Sequence, residues 1–186
     1  MDNNANLDAP VPQPILDAAC SDGREWAEGR TLREVWRECP HPDWLLWLAG
    51  RLDSGTVEAL ETECPRLDRC AKECPDYALE YAAGLLTPER LDRCAVEWPD
   101  YALEYAAHLL TPERLDWCAV KRPDYALEYA ADLLTAKRMA WCAVKRPGFA
   151  LRYAADLLTP ERLKGLAAPR TNSRTSAWIG PGKRCE

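Results

Sequence analysis

Four cysteines and one histidine in the first 75 residues could together bind a metal ion. They are Cys39, His41, Cys64, Cys70 and Cys74. Cys70 and Cys74 are four residues apart, which places both on one helix face, and thiolate and imidazole groups are ligands for zinc and iron–sulfur clusters. The chain contains no Cys-x2-Cys pair, however. We therefore predict that these thiols pack in a helical cap without a cofactor, and keep a metal centre as an alternative.

A second set of cysteines recurs at a fixed spacing of 24 residues: Cys70, Cys94, Cys118 and Cys142. Packed helices lie about 8–10 Å apart, whereas a disulfide requires Cα atoms within about 7 Å. Neighbouring members of this set are therefore predicted to be small buried thiols and not disulfides. The beginning of the chain has no basic residue before Arg24 and no apolar core typical of a signal peptide. A cytoplasmic location with reduced cysteines is expected.

No arrangement typical of an active site is present in the sequence. His41 and His108 are the two histidines, and the chain lacks a glycine-rich phosphate loop, a nucleophile elbow and an HExxH motif. Glu80, Glu104 and Glu128 recur as a row, not as a converging pair of carboxylates. We predict that the protein is not an enzyme.

The 24-residue spacing extends to whole phrases, and one unit reads LTPERLDRCAVEWPDYALEYAAHL. Four units occupy residues 63–158, and a fifth begins at 159. Each predicts two short helices, because a threonine can cap the first helix, a proline suits its first position, and a second proline begins the next helix. Such short helices are marginal alone, so stacking of units must stabilise them.

Helical periodicity assigns the faces of these two helices. The predicted inner face of the first helix holds Leu91, Cys94, Ala95 and Trp98. That of the second holds Ala102, Tyr105, Ala106, Leu109 and Leu110. The predicted fold class is all-α: an α-solenoid of 24-residue two-helix repeats with a divergent helical N-terminal cap. The predicted divisions are a flexible N-terminus (1–22), the cap (23–62), four and a half repeats (63–168) and a disordered basic tail (169–186).

The repeat resembles the 24-residue leucine-rich-repeat variant, with which it shares the Thr-Pro-x-x-Leu phrase, and an uncharacterised bacterial repeat of the form AV…ALEYAS…L. The resemblance implies a stacked helical fold and leaves function open. One solenoid type of the leucine-rich variant carries an N-terminal iron–sulfur module. The cap phrase PDWLLWLAGRL resembles a phrase in small phage and bacterial proteins without an assigned function.

Charge is distributed unevenly along the chain. Residues 1–100 hold 10 basic and 21 acidic side chains, and residues 101–186 hold 14 basic and 9 acidic ones. The net charge of −6 disfavours binding of nucleic acid by the whole surface. The later units also replace Arg69 and Arg93 by Trp117 and Trp141. We predict a basic tryptophan patch that binds a partner, composed of Trp117, Trp141, Lys121, Arg122, Arg138, Lys145 and Arg146.

A second candidate surface follows the beginning of the second helices. This acidic–aromatic edge is composed of Tyr77, Tyr101, Tyr125, Glu80, Glu104 and Glu128. It could bind a basic partner, or it could shield the stack. The two tryptophans of the first patch could likewise be additional core.

The function predicted from the sequence is a non-catalytic binder or inhibitor whose partner is another protein. A phage-encoded inhibitor of a host defence complex fits this size and the cap phrase. Nucleic-acid binding through the basic C-terminal half is an alternative, with the indoles stacking on bases. No apolar run is long enough to cross a bilayer, so no membrane association is expected.

Overall fold

The computed structural model describes residues 6–159. The regular secondary structure in this range is helical, and no β-strand forms there. The N-terminal helices are α1 (Gln13–Ala18), α2 (Ser21–Ala27), α3 (Leu32–Glu38), α4 (Pro42–Ala49) and α5 (Ser54–Glu63). The helices of the repeated sequence are α6 (Leu67–Glu73), α7 (Pro75–Tyr81), α8 (Pro88–Glu97), α9 (Pro99–Tyr105), α10 (Pro112–Lys121), α11 (Pro123–Tyr129), α12 (Ala136–Lys145) and α13 (Pro147–Tyr153). Consecutive helices pack on one another, which is consistent with a helical repeat.

Threonine begins the first helix of a unit, as the sequence predicts. The Thr87, Thr111 and Thr135 hydroxyls accept hydrogen bonds from backbone N–H groups three residues later, at 3.2–3.3 Å. Pro88 and Pro112 follow at the first helical position, where no N–H is needed. These contacts satisfy donors that a helix cannot satisfy internally.

A single residue separates the two helices of each unit. Trp98 ends α8 and precedes α9 with φ −129° and ψ 71°, and Cys74, Arg122 and Arg146 have nearly the same backbone angles. The following proline fixes the start of the second helix. The chain therefore turns sharply at this junction, and the junction side chain lies outside either helical pattern. Trp98 is accordingly 40% exposed, contrary to the inner position predicted for it.

Each second helix has only seven residues and continues into a 3₁₀ turn: Ala83–Leu85, Ala107–Leu109, Ala131–Leu133 and Ala155–Leu157. This change of period corrects the predicted inner face. Ala102 and Ala106 are fully buried as predicted, but Tyr105 and Leu109 are each 39% exposed, and Leu103 is buried in their place. A constant rotation of 100° per residue applies only within an α-helix, so it does not predict which residues are buried where this short helix ends and the 3₁₀ turn begins.

Two kinds of contact join equivalent positions of successive units. The Cys94, Cys118 and Cys142 thiols lie 3.6–3.7 Å from the backbone carbonyl oxygens of Ala71, Ala95 and Ala119, to which they donate. The guanidinium groups of Arg90, Arg114 and Arg138 bind the carboxylates of Asp68, Asp92 and Asp116 with two nitrogens each. The cysteines are therefore buried free thiols, as predicted.

The N-terminal residues are more ordered than the sequence suggested. Leu7, Val11 and Leu16 are buried, and Pro10 forms an isolated β-bridge with Thr31. Thr31 also begins α3 through a reciprocal hydrogen-bonded capping box with Glu34. Part of the segment predicted to be flexible, residues 6–22, thus completes the core of the N-terminal cap.

None of the helices between residues 6 and 159 combines the length and apolar character needed to cross a bilayer. The half repeat that begins at 159 and the tail predicted for residues 169–186 lie outside the described residues, except for Thr159.

Candidate protein-binding surface

The acidic–aromatic edge follows from the local sequence Pro-Asp-Tyr-Ala-Leu-Glu-Tyr of α7, α9 and α11. The alanine and leucine side chains are fully buried in the core, and the tyrosine and glutamate side chains are partly or largely accessible to solvent. The two tyrosine rings of each helix are four residues apart and pack against each other, with centroids 5.7–5.9 Å apart. Phe149 and Tyr153 repeat this pair in α13, at 5.8 Å.

Part of each ring pair remains accessible to solvent. Tyr77 is 41% exposed and Tyr129 is 43% exposed, whereas Tyr101 and Tyr125 are half-buried against the core. Exposed aromatic side chains in a row are common in protein interfaces, where they contribute large contact area at low entropic cost.

Carboxylates flank these rings closely enough to alter their ionisation. Glu80 accepts from the Tyr81 hydroxyl and raises the pKa of Tyr81 to about 12. Glu104 does the same for Tyr105, whose pKa is also about 12. Burial, followed by the charges of Asp76 and Glu80, raises the pKa of Tyr101. Acidic side chains of one unit thus lie beside a ring of the next unit.

The acidic side chains differ in whether a cation neutralises them. Arg122 contacts Asp100 at 2.6 Å and Asp124 at 3.6 Å, and its guanidinium carbon lies 4.3 Å from the centroid of the Tyr125 ring. Within residues 6–159, no ion pair forms at Asp76, Glu80, Glu104 and Glu128. No cation of the described residues therefore neutralises these four carboxylates, and they are available to pair with a cationic partner.

In α13 the acidic character ends. Gly148 and Arg152 stand where the earlier units have aspartate and glutamate, and the Arg152 guanidinium lies 5.0 Å from the Tyr153 ring centroid. The acidic–aromatic edge therefore covers three units and is bounded by a basic fourth unit.

The residues of the predicted tryptophan patch do not form one continuous surface in the structure. Trp117 and Trp141 are half-buried and pack against the core. Each ring lies between an arginine three residues earlier and a lysine four residues later, at centroid distances of 5.1–5.5 Å. Arg122 lies instead at the acidic–aromatic edge, because it is a junction residue. The patch contains fewer available cations than its sequence suggests.

The remaining cations of the tryptophan patch also differ in their partners. Arg138 binds Asp116, so its charge is already compensated. Lys121, Lys145 and Arg146 are exposed, and no carboxylate between residues 6 and 159 lies within ion-pair distance of them. These three are the available positive charges of the patch.

The five residues considered as metal ligands lie in different surroundings. The Cys39 thiol is buried and lies 3.5 Å from the backbone oxygen of His41, and burial raises its pKa. The Cys64 carbonyl accepts from the Trp36 indole, and Cys70 is buried. Across residues 6–159 no three His, Cys, Asp or Glu side chains are arranged as metal ligands. The structure thus does not assemble Cys39, His41, Cys64, Cys70 and Cys74 into one centre.

Sequence reasoning missed the second tyrosine of each pair as a surface residue. Tyr105, Tyr129 and Tyr153 are 37–43% exposed and extend the acidic–aromatic edge. Their 24-residue spacing was visible, but helical periodicity placed Tyr105 on the inner face.

Comparison with known proteins adds no assignment to this geometry. No protein-family model matches the chain, and neither the curated proteins nor the solved structures contain a significant match.

Proposed function

We propose that the protein is a non-catalytic protein-interaction module, and that its acidic–aromatic edge binds a cationic segment of a partner protein. The observation that carries this proposal is the group of four carboxylates without an ion pair, Asp76, Glu80, Glu104 and Glu128, beside partly exposed tyrosine rings. Arginine and lysine side chains of a partner could pair with these carboxylates and stack on the rings.

We also propose that the 24-residue units stack into an α-solenoid, and that this stacking gives the acidic–aromatic edge its shape. The thiol–carbonyl and arginine–aspartate contacts support it, because they join residues 23 and 22 positions apart and recur in three successive pairs. A stack of this kind presents equivalent side chains as a regular row, which suits an extended segment of a partner.

A charge-matched pair of variants tests the binding proposal. The probe is a short peptide rich in arginine and leucine, with its glutamate-for-arginine counterpart as the reference ligand. We expect the arginine peptide to bind the wild-type chain. Replacing Glu80, Glu104 and Glu128 by Gln should weaken this binding at least tenfold.

The control replaces Glu89, Glu97 and Glu113 by Gln, which changes the net charge equally. These three glutamates are exposed on the first helices and form no ion pair within the described part of the chain. Equal loss of affinity in both triple variants would show that net charge and not the edge causes binding, and would overturn the proposal.

A second candidate function is binding of single-stranded nucleic acid by the tryptophan patch. The observation that favours it is the exposure of Lys121, Lys145 and Arg146 near two partly accessible indoles. Its test is titration with a fluorescent oligonucleotide at several salt concentrations, because phosphate contacts give a steep dependence of affinity on salt. Binding that is lost in Lys121→Gln with Lys145→Gln would favour this function. An inhibitor of a host defence complex is a narrower form of the protein-binding proposal.

A further inference from the structure

A cavity of about 240 Å³ lies at the N-terminal end of the chain, between α1 and α2 on one side and α3 and α4 on the other. Its lining is mainly apolar and includes three indole rings and one phenol ring. These rings belong to Trp26, Trp44, Trp47 and Tyr77, and Asp43 also lines the cavity. None of them belongs to the tryptophan patch, and only Tyr77 also belongs to the acidic–aromatic edge.

The size of the cavity restricts its ligand. The space is partly open to solvent and is lined by side chains of four N-terminal helices and by Tyr77. Pockets for small molecules usually begin at about 300 Å³. The cavity therefore suits a ligand of a few heavy atoms, smaller than a nucleotide.

Asp43 gives the cavity its charge. It is the single residue of the lining with a charged side chain, it is half-buried, and no cation in the described part of the chain pairs with it. It lies in the first turn of α4, close to the end of the helix at which the backbone N–H groups attract negative charge. A carboxylate beside apolar walls favours a cation over a neutral or anionic ligand.

Each of the three indoles has a cationic or polar side chain beside it that does not line the cavity. Arg30 lies 4.5 Å from the Trp26 ring centroid and Arg51 lies 5.0 Å from that of Trp47. The His41 and Trp44 ring centroids are 4.1 Å apart. Arg30, Arg51 and His41 are not part of the cavity lining, and Arg30 is neutralised by Glu38 at 2.7 Å. The ring surface that lines the cavity therefore has no cation of the protein within it.

We propose that this cavity binds a small organic cation, specifically an ammonium group carrying methyl or other apolar substituents. Aromatic rings attract such a cation through the negative charge on their faces and also bury its apolar substituents. An unsubstituted metal ion or a primary ammonium group would lose its hydration without replacement donors or acceptors, since the walls are mostly carbon. The Asp43 carboxylate supplies the compensating charge. This proposal does not depend on protein binding at the acidic–aromatic edge.

The test compares choline with 3,3-dimethyl-1-butanol, in which a carbon atom replaces the ammonium nitrogen at nearly constant shape. Binding is measured on the full chain by calorimetry and by tryptophan fluorescence. We expect saturable binding of choline that is at least tenfold tighter than that of the alcohol. Asp43→Asn keeps the size of the side chain and should weaken choline binding about tenfold while leaving the melting temperature nearly unchanged.

The matched control is Glu25→Gln, because Glu25 is an exposed carboxylate of α2 that does not line the cavity and forms no ion pair within the described residues. It should leave choline affinity unchanged. Trp44→Leu removes one wall and should weaken choline more than the alcohol. Equal affinity for the two compounds, no saturable binding of choline, or an equal effect of Glu25→Gln would each overturn the proposal.

Discussion

The Arg114 guanidinium binds the Asp92 carboxylate through two nitrogen–oxygen contacts, at 2.5 and 2.7 Å, across the boundary between two sequence units. The Arg114 side chain is 21% exposed and that of Asp92 is 44% exposed, so solvent screens part of the attraction. The same guanidinium lies 5.1 Å from the Trp117 ring centroid. One arginine of α10 therefore contacts both Trp117 on its own helix and Asp92 on α8.

A double-mutant cycle on Arg114→Ala and Asp92→Ala should give a coupling free energy of about 1 kcal/mol, at the upper end for partly exposed pairs. We expect this value because two guanidinium nitrogens of Arg114 contact the Asp92 carboxylate and the Arg114 side chain is mostly buried. The measurement is urea denaturation of both single variants and the double variant. The control cycle uses Arg69 and Glu73, which are within one helix and largely exposed. A coupling no larger than in that control would show that the bridge between units adds nothing particular.

Gly50 allows close approach of α4 and α7. A Cβ atom on Gly50 would overlap the Tyr81 carbonyl oxygen and come within 3.1 Å of its carbonyl carbon. Because backbone cannot move aside cheaply, Gly50→Ala should lower the free energy of unfolding by about 1–3 kcal/mol. Gly84→Ala is the control, since an added Cβ there meets no atom within 4 Å. Thermal unfolding that is equal in the two variants would contradict this packing.

Buried thiols should make the fold sensitive to alkaline pH. Burial raises the pKa of Cys70, Cys94, Cys118 and Cys142 from 9.0 to about 11. Between these values the folded chain keeps thiol protons that the unfolded chain releases, so the free energy of unfolding falls as the pH rises from 9 to 11. Each thiol adds a slope of at most about 1.4 kcal/mol per pH unit.

Denaturant midpoints measured from pH 8 to pH 10 check this dependence. Tyr81 and Tyr105 also have raised pKa values and add to the decline near pH 10, so the contribution of one thiol is read from the difference between variants that keep these tyrosines. Cys118→Ala should show a shallower decline than the wild-type chain. The control is Cys20→Ala, whose cysteine is exposed. Identical slopes for wild type and Cys118→Ala would contradict a buried thiol at this position.

The half-buried indoles of the tryptophan patch should contribute to stability. We expect Trp117→Ala or Trp141→Ala to cost about 2 kcal/mol, roughly half the loss for a fully buried tryptophan. Each ring packs on the core and between an arginine and a lysine. Thermal unfolding measures the effect, with Lys121→Gln as the variant that removes the flanking charge and keeps the indole. A melting temperature that does not change in either alanine variant would show that the rings serve only a partner.

The 24-residue spacing predicted the helix starts, the buried cysteines and the small alanines at helix contacts, because each depends on local capping and helical periodicity. Tyr105 was misplaced because the helix ends there and a 3₁₀ turn follows. Arg122 was misplaced because a junction residue obeys neither helical pattern. The N-terminal cavity was not predicted at all, since it depends on contacts between segments without a common repeat.

The arginine–aspartate contacts have a direction: each of the two interior units supplies a guanidinium to the unit before it and a carboxylate to the unit after it. Asp68, Asp92 and Asp116 supply this carboxylate, but the position 24 residues after Asp116 holds Ala140. The interior units could therefore be deleted or duplicated by recombination in frame and still find complementary neighbours. A copy inserted after the unit containing Ala140 would lack its carboxylate partner. Added or lost units would therefore keep their arginine–aspartate contacts in the interior of the repeated segment, but not after the unit that contains Ala140.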